Sequence, residues 1–152
     1  MARYWIIVGS PENFERTKAL GFGVQGMKSR HRRKAEGMEA GDKLVWYVTG
    51  EQAFAGYATI TGGYFEDHEP IWSSGRKKGE DYPWRVPIVQ ELVLVPSKWV
   101  AAEGVARRMT YVSKWPAEHW RLAFQGNVHE ISEGDFQLVR AALEKAAKGE
   151  AA

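Results

Sequence analysis

The sequence predicts an α+β domain: a small, partly open β-barrel of five or six strands with peripheral helices. Three observations predict it. Short runs of β-branched and aromatic residues recur, at 3–8, 43–48, 53–61 and 84–95, separated by Gly-containing turns. Two segments, opening at Ser10-Pro11 and at Ser132, carry helix starts. The chain has 152 residues, and a domain of about 150 residues buries enough surface to fold without staples.

The elements follow in order. Residues 3–8 read as a strand. Ser10 is placed to cap the next helix, Pro11 suits its first position, and Glu12 suits its dipole. Phe14, Lys18 and Leu20 continue the helix, and Gly21 ends it. Residues 21–26 read as a Gly-rich loop that leads into the basic run 28–34. Residues 43–48 and 53–61, with a turn at Gly50, read as an antiparallel pair. Gly62-Gly63 bends the chain before Tyr64-Phe65, and residues 66–81 read as a long surface loop. Residues 84–95 form the longest strand candidate. Pro87 inside it cannot donate to a ladder, which puts that end at an edge or a bulge.

Short helices are expected within 96–126, with Trp115 and Trp120 as packing residues, and a short strand at 128–131. Ser132 with Asp135 reads as a variant capping pair for a last helix. Phe136, Val139, Leu143 and Ala146 give that helix one apolar face. Residues 1–148 form one domain in this reading, with 149–152 a frayed tail.

Composition excludes several functions. There is no cysteine, so disulfides, thiol catalysis and thiolate metal sites are out. No apolar run approaches the ~20 residues that span a bilayer, and no secretory pattern opens the chain, so a cytoplasmic protein without membrane partners is expected. The histidines 31, 68, 119 and 129 fall at no metal-ligand spacing. No nucleophile elbow is present. Residues 21–26 spell GxGxxG, but after a helix, the reverse of the dinucleotide-binding context. Glu12, Glu66 and Asp67 read as solvated surface. The expectation is a non-enzyme with no cofactor and no metal.

Two features favour nucleic acid. Residues 28–34 hold Lys28, Arg30, Arg32, Arg33 and Lys34 with no acid among them, and Arg76-Lys77-Lys78 is a second cluster. Such groups neutralise phosphates. Aromatics are 12% of the chain, and a base stacked on a ring gains roughly 1–3 kcal/mol.

Residues 4–6 (Tyr-Trp-Ile), 10–14 (Ser-Pro-Glu-Asn-Phe), 21–24 (Gly-Phe-Gly-Val) and 41–47 (Gly-Asp-Lys-Leu-Val-Trp-Tyr) form an ordered set. Gly56-Tyr57, residues 82–86 (Tyr-Pro-Trp-Arg-Val), 124–126 (Phe-Gln-Gly) and the helix from Ser132 extend it. Together they make the chain resemble the EVE domain family, a PUA-like branch related to YTH domains. Many relatives have Trp-Gly-Val where this chain has Phe22-Gly23-Val24, a smaller stacking face.

The resemblance implies a PUA-like barrel with a pocket for one extruded base. It implies a DNA or RNA partner carrying a modified base, of the 5-methylcytosine or N6-methyladenine type. Within it, Trp5, Phe22 and Trp84 are expected as pocket walls, with Gly23 and Val24 beside Phe22. Core packing is the competing reading for Trp5 and Trp84. Ser10 and Asn13 are expected at the base edge, where an amide offers both donor and acceptor; a pure capping role competes for Ser10. Tyr82 and Arg85 complete the pocket. Lys28, Arg30, Arg32, Arg33 and Lys34 are expected on phosphates. The alternatives are a sequence-tolerant RNA-binding module, a PUA-like hydrolase of modified nucleosides, and a sensor of free nucleotides.

Overall fold

The computed structural model describes residues 2–74 and 81–149. The basic cluster expected at Arg76-Lys77-Lys78 and most of the expected tail lie outside the described residues. In chain order the elements begin β1 (Tyr4–Gly9), α1 (Pro11–Ala19), β2 (Val24–Met27), a 3₁₀ turn (Ser29–His31) and α2 (Arg32–Glu36). Next come β3 (Lys43–Val48), β4 (Ala53–Ile60), β5 (Phe65–Glu66), β6 (Trp84–Val93), β7 (Val100–Ala101) and α3 (Ala102–Ala106). After further 3₁₀ segments, β8 (Val128–Ile131) and α4 (Glu133–Ala147) close the described chain.

The sheet runs β2-β6-β4-β3-β1-β8 and curls into a half-barrel, with β5 on β6 and β7 on β4. The α+β class is as expected. β1 lies parallel to β3 and antiparallel to β8. Residues 43–48 and 53–60 form the expected antiparallel pair.

β1 is apolar on both faces because the sheet is covered on both. Ile6 and Val8 point into one core, shared with Val105, Trp120, Phe124, Phe136, Val139 and Leu143 from the helical layer. Trp5 and Ile7 point into the other, inside the barrel, with Phe14, Phe22, Leu44, Trp46 and Ile60.

Four local readings change. Residues 24–27 are not loop: they form β2, antiparallel to β6 from Val24↔Pro87 to Met27↔Trp84. The basic run is a 3₁₀ turn and a short helix rather than an open loop. Pro87 sits at neither edge nor bulge. It stands where β6 leaves β2 and takes up β4 at Ile88↔Ile60; its carbonyl accepts from the Thr61 N–H at 2.9 Å, but with no N–H it returns no bond there, and the β4–β6 pairing begins at Ile88. Ser132 does cap α4, accepting from the Asp135 N–H at 3.1 Å. The Asp135 carboxylate does not reach back to it. It accepts instead from the Thr110 and Tyr111 N–H groups at 2.8 Å each, tying α4 to the preceding turn.

The two ends of the strand order are stitched by side chains. The Lys28 N–H donates to Asn127 Oδ1 at 3.0 Å, and Lys34 Nζ donates to the Val128 carbonyl at 2.8 Å. Asn127 Nδ2 donates in turn to the Val8 carbonyl at 2.8 Å.

Candidate nucleic-acid interface

α1 starts where β1 ends, and its first turns face β2 and the chain between β5 and β6. Ser10 caps the helix, its Oγ accepting from the Asn13 N–H at 3.1 Å, which is the structural role. The cap turns the Asn13 side chain into a cleft. Thr17, one turn on, faces the same way. The cleft is lined by Asn13, Phe14, Thr17, Gln25, Trp46, Trp72, Tyr82 and Asn127, with the ends of β1 and β3 as its floor.

A polar chain crosses it. Trp72 Nε1 donates to Thr17 Oγ1 at 2.9 Å. Thr17 Oγ1 lies 3.4 Å from Gln25 Oε1, which also accepts from Trp46 Nε1 at 2.8 Å. Asn13 spans the mouth. Its Oδ1 accepts from the Ser73 N–H at 3.0 Å, and its Nδ2 donates to the Ser73 carbonyl at 2.9 Å. The Tyr82 hydroxyl stands 3.4 Å from Asn13 Nδ2. Every amide here is buried and bonded, as low-dielectric surroundings demand.

Of the expected pocket residues, the structure brings Asn13 and Tyr82 into this cleft. Trp5 is fully enclosed in the barrel core, its Nε1 donating to Asp42 at 3.1 Å. It is a core residue, because β1 has sheet neighbours on both sides and layers on both faces. Phe22 is also core: it is buried against Phe14 and Trp46, with ring centroids 5.6 and 5.3 Å away. Gly23 leads into β2 and Val24 begins it, and the Gly23 carbonyl accepts from the Ile88 N–H at 3.1 Å; neither lines the cleft.

Trp84 lies under the basic segment. Its Nε1 donates to the Ser29 carbonyl at 2.8 Å, and Arg32 stacks over its ring at 5.1 Å. Arg85 is 2% exposed and is spent on protein. Its Nε donates to the Tyr82 carbonyl at 3.1 Å, it pairs with Asp67 and the Glu69 carbonyl, and it lies 5.1 Å from the Trp72 ring centroid. It therefore shapes the 67–73 strap.

The expected phosphate ligands divide. Arg30, Arg32 and Arg33 are exposed. Lys28 is half-buried with its ammonium 5.9 Å from the Tyr82 ring centroid, at the cleft's rim. Lys34 is a brace between α2 and β8, and burial lowers its pKa.

Sequence reasoning missed Thr17, Gln25, Trp46, Trp72 and Asn127 as cleft residues. Trp72 did leave a signal: an apolar pair, Ile71-Trp72, inside an otherwise polar stretch. Gln25 left none, because the strand that carries it is only four residues long and interrupted by Gly26.

Beside the interface, His31 and His129 are both pushed down to about 4, chiefly by burial and then by Lys34. A histidine ordinarily titrates near 6.5. Both are therefore neutral in the native state where the unfolded chain binds protons. The stability that these two histidines contribute is complete above pH ~6.5 and is lost as pH falls toward ~4. We expect the melting temperature to drop through that window, and a His31→Asn, His129→Gln double variant to flatten the drop. His68 has the opposite sign, raised by Glu66 and Asp81, but it is surface-exposed, so solvent screening keeps its contribution small.

The sequence matches the EVE domain family model over residues 3–142. UPF0310 protein PH1033 of Pyrococcus horikoshii is 24% identical, over 92% of this chain and 98% of its own length. The YTH domain-containing protein Mmi1, in complex with RNA, has the same fold: TM-score 0.69, 10% identity, covering 97% of this chain and 85% of that one. The YTH domain of the Zygosaccharomyces rouxii MRB1 protein, in complex with N6-methyladenosine RNA, gives 0.64 at 15% identity, covering 93% and 86%. Rpa0253 of Rhodopseudomonas palustris gives 0.59 at 17% identity, covering 94% of each. At these identities the solved structures share the fold alone, while the family match spans nearly the whole chain: this protein belongs to the EVE domain family.

Proposed function

We propose that this chain binds nucleic acid without catalysing a reaction, and takes one modified base into the cleft beside α1. One observation carries the reading. Amide and hydroxyl groups (Asn13, Gln25, Thr17) share a concave site with the rings of Trp46 and Tyr82, next to a cationic segment. An extruded base needs both: ring faces to replace lost stacking, and donor-acceptor pairs for its edge. The solved YTH relatives, crystallised with RNA and with N6-methyladenosine RNA, support it.

In this reading Asn13 meets the base edge and Tyr82 a base face. Lys28, Arg30, Arg32 and Arg33 meet phosphates. The modification is of the N6-methyladenine or 5-methylcytosine type. The test is a binding panel of DNA and RNA oligonucleotides, each modified and unmodified, against wild type and Asn13→Ala. We expect one modified oligonucleotide to bind at least about tenfold tighter than its unmodified twin, with that preference lost in the variant. Equal binding of the pair would leave a sequence-tolerant RNA-binding module. Turnover of the oligonucleotide would make the protein an enzyme.

Phosphate contact has its own readout. Each cation on a phosphate contributes about 1 to the slope of log affinity against log salt. Replacing both Arg30 and Arg33 by Ala should flatten that slope by about 2. An unchanged slope would remove the basic segment from the interface.

A further inference from the structure

The cleft described above is closed. The free space remaining in it is about 20 Å³, room for about one water. A nucleobase is a planar ring system comparable in size to an indole, and one indole is already there. Trp72 is 4% exposed although it belongs to a strap that is otherwise largely at the surface. Its ring lies directly on the backbone at Gly26, where a Cβ would overlap it.

The strap is held by the groups a base would use. Trp72 Nε1 donates to the Thr17 hydroxyl, and the Ser73 N–H and carbonyl, from successive peptide groups, take both halves of the Asn13 amide. A peptide N–H beside a carbonyl offers the same paired donor and acceptor that a base edge offers. Arg16 adds one bond, donating to Ser73 Oγ at 2.8 Å.

We propose that Trp72 and Ser73 are the site's built-in occupant, and that a base enters by displacing them. The proposal rests on the base-binding reading above and adds regulation to it: the strap competes with the ligand for Asn13, Thr17 and the slot over Gly26. Nearer β6 the strap is held by Arg85, through Asp67 and the Glu69 carbonyl, and by the Asp67 N–H to the Pro83 carbonyl at 2.8 Å, its one backbone bond to the sheet side among the described residues. Lifting the Trp72–Ser73 end alone leaves those contacts in place and costs the polar contacts above, the Arg85 contact with the indole and the burial of one ring. A closed fraction near unity weakens apparent affinity by the reciprocal of the open fraction.

Two variants separate a plug from a wall. Trp72→Ala removes the indole. Ser73→Pro keeps Trp72 but deletes the N–H that Asn13 accepts, at an exposed position away from the core. Both are titrated with free adenine, N6-methyladenine, cytosine and 5-methylcytosine, after thermal melting shows that each folds. We expect both variants to bind one of these bases at least about tenfold more tightly than wild type, the gain expected when a binding-competent state populated at 10% or less becomes dominant. Saturating wild type with that base should also expose the Trp72 indole N–H and the Ser73 N–H to hydrogen exchange.

Weaker binding by both variants would make Trp72 a wall and overturn the proposal. So would protection at Ser73 that persists at saturation, or a complete lack of base binding by all three proteins. A gain with free bases but no binding of any oligonucleotide would keep the plug and remove the nucleic-acid reading.

Discussion

Phe22→Ala should destabilise the protein by about 3–5 kcal/mol, as deletion of a buried phenyl ring does. The ring is 7% exposed and closes the barrel core over Phe14 and Trp46. In a domain of this size the loss is a fall in melting temperature of roughly 10 °C. Phe22 also has φ 54°, in the left-handed region. An Ala there keeps the strain, whereas Gly relieves it. Phe22→Gly should therefore be no less stable than Phe22→Ala, reversing the order seen at ordinary positions. Were both variants to melt like wild type, the ring would be free for ligand after all. Thermal melts with denaturant titration decide it.

Gly56→Ala has the second largest expected effect. β4 and β6 approach so closely there that an added Cβ would overlap the Leu92 carbonyl and lie 2.9 Å from Val93 Cα. Both obstacles are backbone, so no rotamer change gives room. Gly56 also faces Trp46 across β3 and adjoins the register shift between Tyr57 and Ala58. The strands must separate or slip, at a cost of about 3 kcal/mol. The same substitution at Gly63, where a Cβ would meet nothing, should change the melting point little and serves as the control.

The sheet was largely legible because its strands are apolar on both faces and bounded by turns, as with residues 43–48 and 53–60. Both helix caps were legible because a serine three residues ahead of an orphan N–H is a local device, checked at Ser10 and Ser132. β2 was not. Four residues with Gly26 among them carry no period, and they become a strand only because β6 is beside them. The site was half legible. Asn13 could be placed because its position is fixed by the cap three residues earlier. Phe22 and Trp5 could not be assigned, since a ring in a wall and a ring in a core read alike until the layers above and below them are known. Trp72 lay hidden for another reason: a polar strap gives no sign that one of its residues folds inward, and only the bare backbone at Gly26 makes the seat for it.

The position of β1 has a consequence for synthesis. Its parallel neighbour β3 follows within the first third of the chain, but its antiparallel neighbour β8 is translated about 80 residues later. At roughly 5–20 residues per second, the nascent chain carries one flank of β1 unsatisfied for about 4–16 s. A strand row of unpaired N–H and C=O groups invites pairing with other chains. A message truncated just ahead of Val128 would leave that flank open permanently, so such fragments should be handled by chaperones or aggregate, even though every residue of the cleft and every cation of the basic segment has by then been made.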